Sequence, residues 1–189
     1  SFGSAQTDCT PYQGVLDQLR AKGVLLVAAA GNTDGAVARP ARCTGVFAVG
    51  AVNRDGFKTT YSSLGPQVGI TTVGGDTNEG ALGPQATVGG LLTTSNSGLA
   101  GPSAGSYEAS FGTSFSTPVV AGVAALMLSI NPNLTVDQLA WGMKHKSNPH
   151  VTNSAFSLQN CSTTVSRGRC YCTTDTCGPG VLNAVGALE

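Results

Sequence analysis

The sequence predicts an α/β protein in which a parallel sheet is flanked by helices. Residues 24–30 and 46–52 are continuous apolar runs without polar alternation, the pattern of strands buried on both faces. A segment with helical spacing precedes the first run, so helix and strand alternate as in βαβ-type chains. Residues 119–128 form a third apolar run, which follows a turn of small residues and reads as a helix apolar on nearly every face. With 189 residues the chain can bury one sizeable core.

In chain order, Ser1, Phe2 and Gly3 begin without a polar leader, as though a strand and its loop had been cut inside a domain. Thr10-Pro11-Tyr12-Gln13 then reads as a helix start, with Thr10 as N-cap, Pro11 at the first helical position and Gln13 closing a capping box. Tyr12, Val15, Leu16 and Leu19 share one face, and Lys22-Gly23 ends the helix. The strand at 24–30 runs into Gly31-Asn32, which delivers a polar side chain to its carboxyl end, where sites collect in open α/β sheets. The second strand, 46–52, turns at Asn53-Arg54-Asp55-Gly56. Residues 64–110 are mostly Gly, Thr, Ser, Asn and Pro, so short strands at 91–94 and 107–110 are expected within a long loop. Asn131-Pro132 closes the central helix, and Thr135 with Gln138 starts a shorter amphipathic helix through Leu139 and Met143. The tail from Cys161 to Cys177 is turn-rich, and residues 180–188 end the chain as a helix.

Composition narrows the function. Charged residues make up 11%, the formal charge is +0, and no basic run interleaves with aromatics, so nucleic acid is not an expected partner. The run at 119–128 is too short to span a bilayer, and no charged start followed by an apolar segment marks a signal peptide. No membrane is expected, and any signal lies upstream or has been removed. Six cysteines without paired Cys-x-x-Cys knuckles, low charge and 26 glycines point to disulfides and a secreted, extracellular protein.

The chemistry is carried by Ser110-Phe111-Gly112-Thr113-Ser114-Phe115-Ser116-Thr117-Pro118. A serine hydroxyl at the start of a helix sits at the positive end of its dipole, where a developing anion is stabilised. Gly112 permits close approach of a substrate, Ser114 contributes a first-turn amide, and Pro118 falls in a first turn where its missing N–H costs little. Asn32 is a side-chain donor for the same anion. Acyl transfer from serine further needs a general base and an acid that orients it.

These residues resemble subtilisin-like serine proteases (subtilases). The segment from Gly112 to Pro118, continued by Val-Val-Ala-Gly-Val-Ala-Ala-Leu, is similar to the family's nucleophile motif. Ala28-Ala29-Ala30-Gly31-Asn32 is similar to its oxyanion-hole motif, Val46 to Val52 to the strand that follows, and Ser1-Phe2-Gly3 to the Ser-Leu-Gly wall of the primary specificity pocket. Tyr61-Ser62-Ser63-Leu64-Gly65 also fits, and the blocks follow the family's order along the whole chain.

The resemblance implies a subtilisin-like three-layer sandwich and a serine endopeptidase acting on protein or peptide substrates. It implies Ser114 as nucleophile, Asn32 as oxyanion donor and Thr113 as support for that donor. Ser1, Phe2 and Gly3 would flank the substrate backbone on one side and Ala29, Ala30 and Gly31 on the other, the peptide adding as a strand. Residues 38–40 would lie near the base of the primary pocket and leave room for an apolar side chain. Catalysis would need no cofactor; structural calcium is expected in many subtilases, and the loop carboxylates Asp34, Asp76 and Glu79 are available, with no ligand assigned.

The family's catalytic aspartate and histidine precede the Ser-Leu-Gly segment, where this chain begins. Residues 1–189 are therefore expected to be the C-terminal part of one peptidase domain, incomplete at its N-terminus and inert alone. Base and acid would come from an N-terminal segment, which with a propeptide is an expected partner. His145 and His150 follow the nucleophile helix and read as surface residues. Phe115 replaces the family's usual methionine, and residues 72–74 replace its Ala-Pro-Gly. The alternative is a non-catalytic subtilase-like binding module or an inert proteolytic fragment.

Secreted bacterial subtilases carry a pair similar to Cys9 and Cys43, which implies that disulfide. The other four cysteines allow three connectivities. Cys161–Cys177, which staples the tail to the closing helix and leaves Cys170 with Cys172, is the preferred one; Cys161–Cys170 with Cys172–Cys177 stays open. A zinc site built from the same cysteines and a histidine is the other use of these thiols, though the spacing lacks a knuckle. Asn133 and Asn160 head glycosylation sequons, but Thr135 already has a capping role and Cys161 is expected in a disulfide. Trp141 reads as helix packing.

Overall fold

Three parallel strands, β1 (Leu26–Ala29), β2 (Val46–Val52) and β3 (Val68–Val73), form the central sheet in the order β1-β2-β3. They are seen in a computed structural model that describes residues 3–4, 6–76, 89–152 and 157–189. β2 is central and buried along nearly its whole length, as its unbroken apolar run predicts. β1 is only half-buried, because it lies at the edge of the sheet among the described residues. Alternation along β2, with a register shift against β3 at Ala48/Val49 that puts Val68 and Ile70 on opposite faces, sorts the core. Phe47, Val49 and Ile70 face the long helix α2 (Thr113–Ile130), while Ala48 and Val68 pack on the other face with Ala30, Val37 and Ala41.

β3 is absent from the sequence-based expectation, and its polar content explains why. Thr71 and Thr72 are buried, and Thr71 is satisfied by residues far along the chain: its N–H and Oγ1 both donate to Gly180 O, at 3.2 and 3.0 Å. Leu182 N–H returns a bond to Thr71 O at 2.8 Å. Residues 180–182 are thus extended against β3, and the closing helix α5 (Ala184–Ala187) begins later than expected, capped by Asn183 Oδ1. The strands expected at 91–94 and 107–110 are longer, forming an antiparallel hairpin of β4 (Leu91–Asn96) and β5 (Gly105–Ser110).

The helices depart from expectation in instructive ways. α1 (Thr10–Ala21) is capped one residue early, at Cys9. Asp8 Oδ1 accepts the Thr10 N–H at 2.9 Å, and Gln13 reaches Asp17 and Thr44 O instead of closing a box. Of the predicted face Leu16 is buried while Val15 is exposed. α2 begins at Thr113, so Pro118 lies inside the helix and not in its first turn. Only one face of α2 is buried, through Ser116, Val120, Val123, Ala124 and Met127; Leu126 (51%) and Ile130 (64%) are exposed on the other. With 18 residues and a mean hydropathy of 1.6, α2 is long and apolar enough to cross a membrane by length and composition alone, in contrast to the shorter run read from the sequence. Here it is seated on the sheet.

α3 (Val136–His145) has the predicted capping box: Thr135 Oγ1 accepts Gln138 N–H at 3.2 Å and Gln138 Oε1 accepts Thr135 N–H at 2.8 Å. Thr135→Ala is expected to destabilise the fold by about 1 kcal/mol, read as a lower denaturant midpoint at unchanged slope. Trp141 is 57% exposed and stacks on the His145 ring at 4.3 Å, outside the core. His150 is half-buried, with Nε2 2.8 Å from Gly178 O.

The structure pairs Cys9 with Cys43, Cys161 with Cys170 and Cys172 with Cys177. The preferred Cys161–Cys177 pairing is therefore corrected. Cys161 N–H donates to Tyr171 O and Tyr171 N–H to Gln159 O, which lays the two segments side by side and puts Cys161 opposite Cys170. Cys172 and Cys177 bracket the first turn of α4 (Thr174–Cys177). The sulfurs of Cys161, Cys172 and Cys177 lie within 4.8 Å of one another, yet all three are in disulfides, which removes the thiolates a zinc site requires.

Candidate active site

Two chain segments meet at the site. The carboxyl end of β1 delivers Gly31, Asn32, Thr33 and Asp34; the start of α2 delivers Thr113 and Ser114. Gly112, at the N-cap with φ 139°, makes the approach possible, since a Cβ there would sit 3.3 Å from Asn32 Nδ2 in a backbone conformation L side chains rarely adopt.

The contact is a relay. Gly31 N–H donates to Thr113 Oγ1 at 3.3 Å, and Thr113 Oγ1 donates onward to Asn32 Oδ1 at 2.8 Å. Thr113 N–H donates to the same Oδ1 at 3.0 Å. An N–H cannot donate to another donor, so these bonds fix which end of the Asn32 amide is oxygen. They leave Nδ2 as the end that can reach a ligand on the exposed side of this residue. Thr113 is fully buried, and Thr117 Oγ1 bonds its carbonyl at 2.7 Å.

Ser114 is half-buried in the first turn of α2, where helix amides point outward and the dipole is positive. It lines a cavity of about 260 Å³ together with Gly3, Ala29, Gly31, Asn32 and Thr113. Ser4, Thr33, Ala38 and Arg39 complete its wall. Of residues 38–40, expected near the base of the primary pocket, Ala38 and Arg39 line the cavity, and the Arg39 charge is engaged away from it. Its guanidinium turns toward residues 6–8, donating to Asp8 O at 2.9 Å and to Gln6 Oε1, and lies 5.2 Å from the Tyr12 ring centre. Ala30 is fully buried beneath the wall, its N–H on Val49 O and its carbonyl accepting Ala38 N–H. Ser1 and Phe2 lie outside the described residues. Among the described residues no histidine lines this cavity; His145 and His150 are engaged elsewhere.

Behind Asn32 lies a buried ion pair that sequence reasoning missed. Lys58 Nζ is 2.6 Å from Asp34 Oδ1 and also donates to Thr59 O and Ser62 O at 2.8 and 3.0 Å. The Lys58 side chain is 1% exposed, and burial pushes its pKa below the ordinary 10.5, with the Asp34 carboxylate opposing the shift. Asp34 Oδ2 accepts from Ser166 Oγ and from Gly168 N–H at 3.0 Å. A second pair joins Arg169 Nε to Asp76 Oδ2 at 2.8 Å, and Thr60 Oγ1 donates to Asp76 Oδ1 at 2.8 Å. The sequence held one signal, a lone lysine between Phe57 and Thr59 in a chain with few charges. These pairs bear on calcium. Asp34 and Asp76 each face a buried cation of the protein itself, so the donor set does not fit a metal there. Glu79 lies outside the described residues.

Comparison with known proteins adds a lineage to this geometry. The subtilase family profile matches residues 1–187. A thermostable alkaline protease of Halalkalibacterium halodurans is 37% identical across 74% of this chain and 33% of its own length. Subtilisin Savinase of Lederbergia lenta is 30% identical across 100% of this chain and 55% of its own. Among solved structures, a protease of Pseudoalteromonas arctica superposes with a TM-score of 0.77 at 30% identity, covering 99% of this chain and 48% of that one. The chain thus spans between a third and just over half of these relatives.

Proposed function

The chain belongs to the subtilase family, and from that premise we propose that residues 1–189 are the C-terminal part of one peptidase domain that cleaves peptide bonds through an acyl-enzyme on Ser114. The relay from Gly31 through Thr113 to Asn32 is the observation that carries this reading. It holds a side-chain amide beside a serine at a helix start, an arrangement suited to an oxyanion and of little other use on a surface.

Ser114 Oγ attacks the substrate carbonyl carbon, and its proton passes to a histidine supplied by a segment outside this chain, oriented by an aspartate of that segment. The carbonyl oxygen, now an anion, is held by Asn32 Nδ2 and the Ser114 amide. The base later protonates the leaving amine, and water releases the acyl group. The edge of β1, unpaired among the described residues, is where that segment would continue the sheet. The substrate backbone runs between Gly3 on one side and Ala29 and Gly31 on the other, Ala30 being buried behind them, and peptides or proteins are the substrates. Three disulfides fit an oxidising, extracellular setting. Catalysis uses no cofactor, and structural calcium is left without assigned ligands.

A fluorophosphonate probe applied to the full-length protein tests the reading. One adduct, mapped by peptide mass to Ser114, is expected; an adduct elsewhere, or none, sinks it. The isolated chain should label slowly or not at all, and rapid labelling would place the base within these residues. Absence of a histidine from the described cavity wall is what the alternative, a peptide-binding module, would require. Stable binding of peptides by the full-length protein without cleavage would favour it.

Asn32→Leu should lower kcat by roughly 10²–10³ at little change in KM, a magnitude established on a subtilisin itself and carried over to this chain. Steady-state kinetics on the full-length protein would check it, and an unchanged kcat would remove Asn32 from the proposed site.

A further inference from the structure

Tyr61 belongs to a motif that the proposed mechanism leaves unused, and its hydroxyl sits directly behind the turn that precedes Ser114. Gly112 N–H donates to Tyr61 Oη at 2.9 Å and to Gly74 O at 2.9 Å. The Tyr61 O–H points at the end of β3, with Gly74 O at 2.7 Å and Gly75 O at 2.6 Å. The approach is tight: a Cβ on Gly74 would lie 3.0 Å from Tyr61 Oη. The Phe111 ring lies against that of Tyr61, with centroids 5.8 Å apart.

The backbone of the same segment holds the other half of the site. Asp34 N–H donates to Tyr61 O at 2.8 Å, and Ser63 N–H to Gly31 O at 2.9 Å. The hydroxyls of Thr33 and Ser63 are 3.2 Å apart and bonded. One short segment therefore grips both loops that must keep a fixed separation, the one carrying Asn32 and the one carrying Ser114.

We infer that Tyr61 is a positioning residue, a strut whose hydroxyl sets the Gly112 backbone and through it the placement of Ser114 relative to Asn32. The inference rests on the proposed role of Ser114. A strut of this kind acts on the reacting geometry and leaves ground-state binding alone, because a small displacement of a nucleophile weighs on the chemical step.

Tyr61→Phe in the full-length protein keeps the ring and removes only the hydroxyl. Loss of one such bond predicts a kcat lower by about 5- to 10-fold, with KM within about twofold. A peptidyl boronic acid, which bonds to the serine oxygen, should weaken by the same factor, while the matching product peptide keeps its affinity. Equal boronate affinity in variant and wild type overturns the strut, as does a matched loss for boronate and product peptide, which would make Tyr61 part of the groove. Should the wild type itself fail to bind the boronate, the Ser114 reading fails instead. A melting temperature within a few degrees of wild type shows that the variant is folded; should it unfold, Tyr61→Trp, which keeps a ring and moves the polar group, is assayed under the same criteria.

Discussion

Ser114→Ala is expected to lower kcat of the full-length protein by about 10⁶-fold, a size taken from the same replacement in a subtilisin. The structural reason is that neither neighbouring hydroxyl among the described residues can stand in for it. Thr113 is buried with its hydroxyl engaged on Asn32, and Ser116, the next hydroxyl along α2, is buried in the core. Peptide affinity should stay, because the cavity wall at Gly3, Ala29 and Gly31 is untouched. The melting temperature should stay within a few degrees, since the change removes one half-buried oxygen and adds no volume. Residual turnover of roughly 10³–10⁴ over the uncatalysed reaction is what the oxyanion donors and binding alone sustain. A variant retaining one hundredth of wild-type kcat would refute the acyl-enzyme route.

The second large effect concerns stability. Lys58→Met should destabilise the fold by about 3–5 kcal/mol, the usual cost of removing one partner of a buried pair. Asp34 would keep Ser166 and Gly168 as donors but lose its counter-charge, and Thr59 O and Ser62 O would lose theirs. Adding Asp34→Asn to Lys58→Met should recover part of the loss, because the stranded charge disappears. Urea denaturation of the full-length protein under disulfide-preserving conditions measures both; a single-variant cost below about 1 kcal/mol would mean that the pair is solvated.

The pH response has a definite sign. Folding lowers the Lys58 pKa below 10.5, so between that lowered value and 10.5 the unfolded chain holds a proton the folded chain has released. Stability from this group therefore rises with pH across that window and is flat below it. Lys58→Met should abolish that rise.

What the sequence made legible was whatever local pattern decides. The apolar run of β2 and the Thr135–Gln138 box need no distant partner to be recognised. β3 was not legible, because Thr71 is acceptable in a buried strand only once Gly180 and Leu182 arrive to satisfy its backbone and hydroxyl. Which side of α2 is buried was not legible, since periodicity reports which residues are apolar and not which are covered; Leu126 and Ile130 are one and not the other. The tail disulfides depended on the pairing of Cys161 with Tyr171, which spacing does not encode. At the site, Asn32 and Thr113 could be nominated by motif, but the Lys58–Asp34 pair and the Tyr61 strut are products of folding that join segments far apart in sequence.

The clamp on Asp34 and Asp76 also sets an order of events during synthesis. Ser166, Gly168 and Arg169 supply the last partners of both carboxylates. A ribosome must therefore have passed Arg169 before the loop bearing Asn32 acquires this support. Until then a nascent molecule holds Asn32 and Ser114 without this clamp, so the Asp34 loop is fixed only once residues 166–169 have joined it.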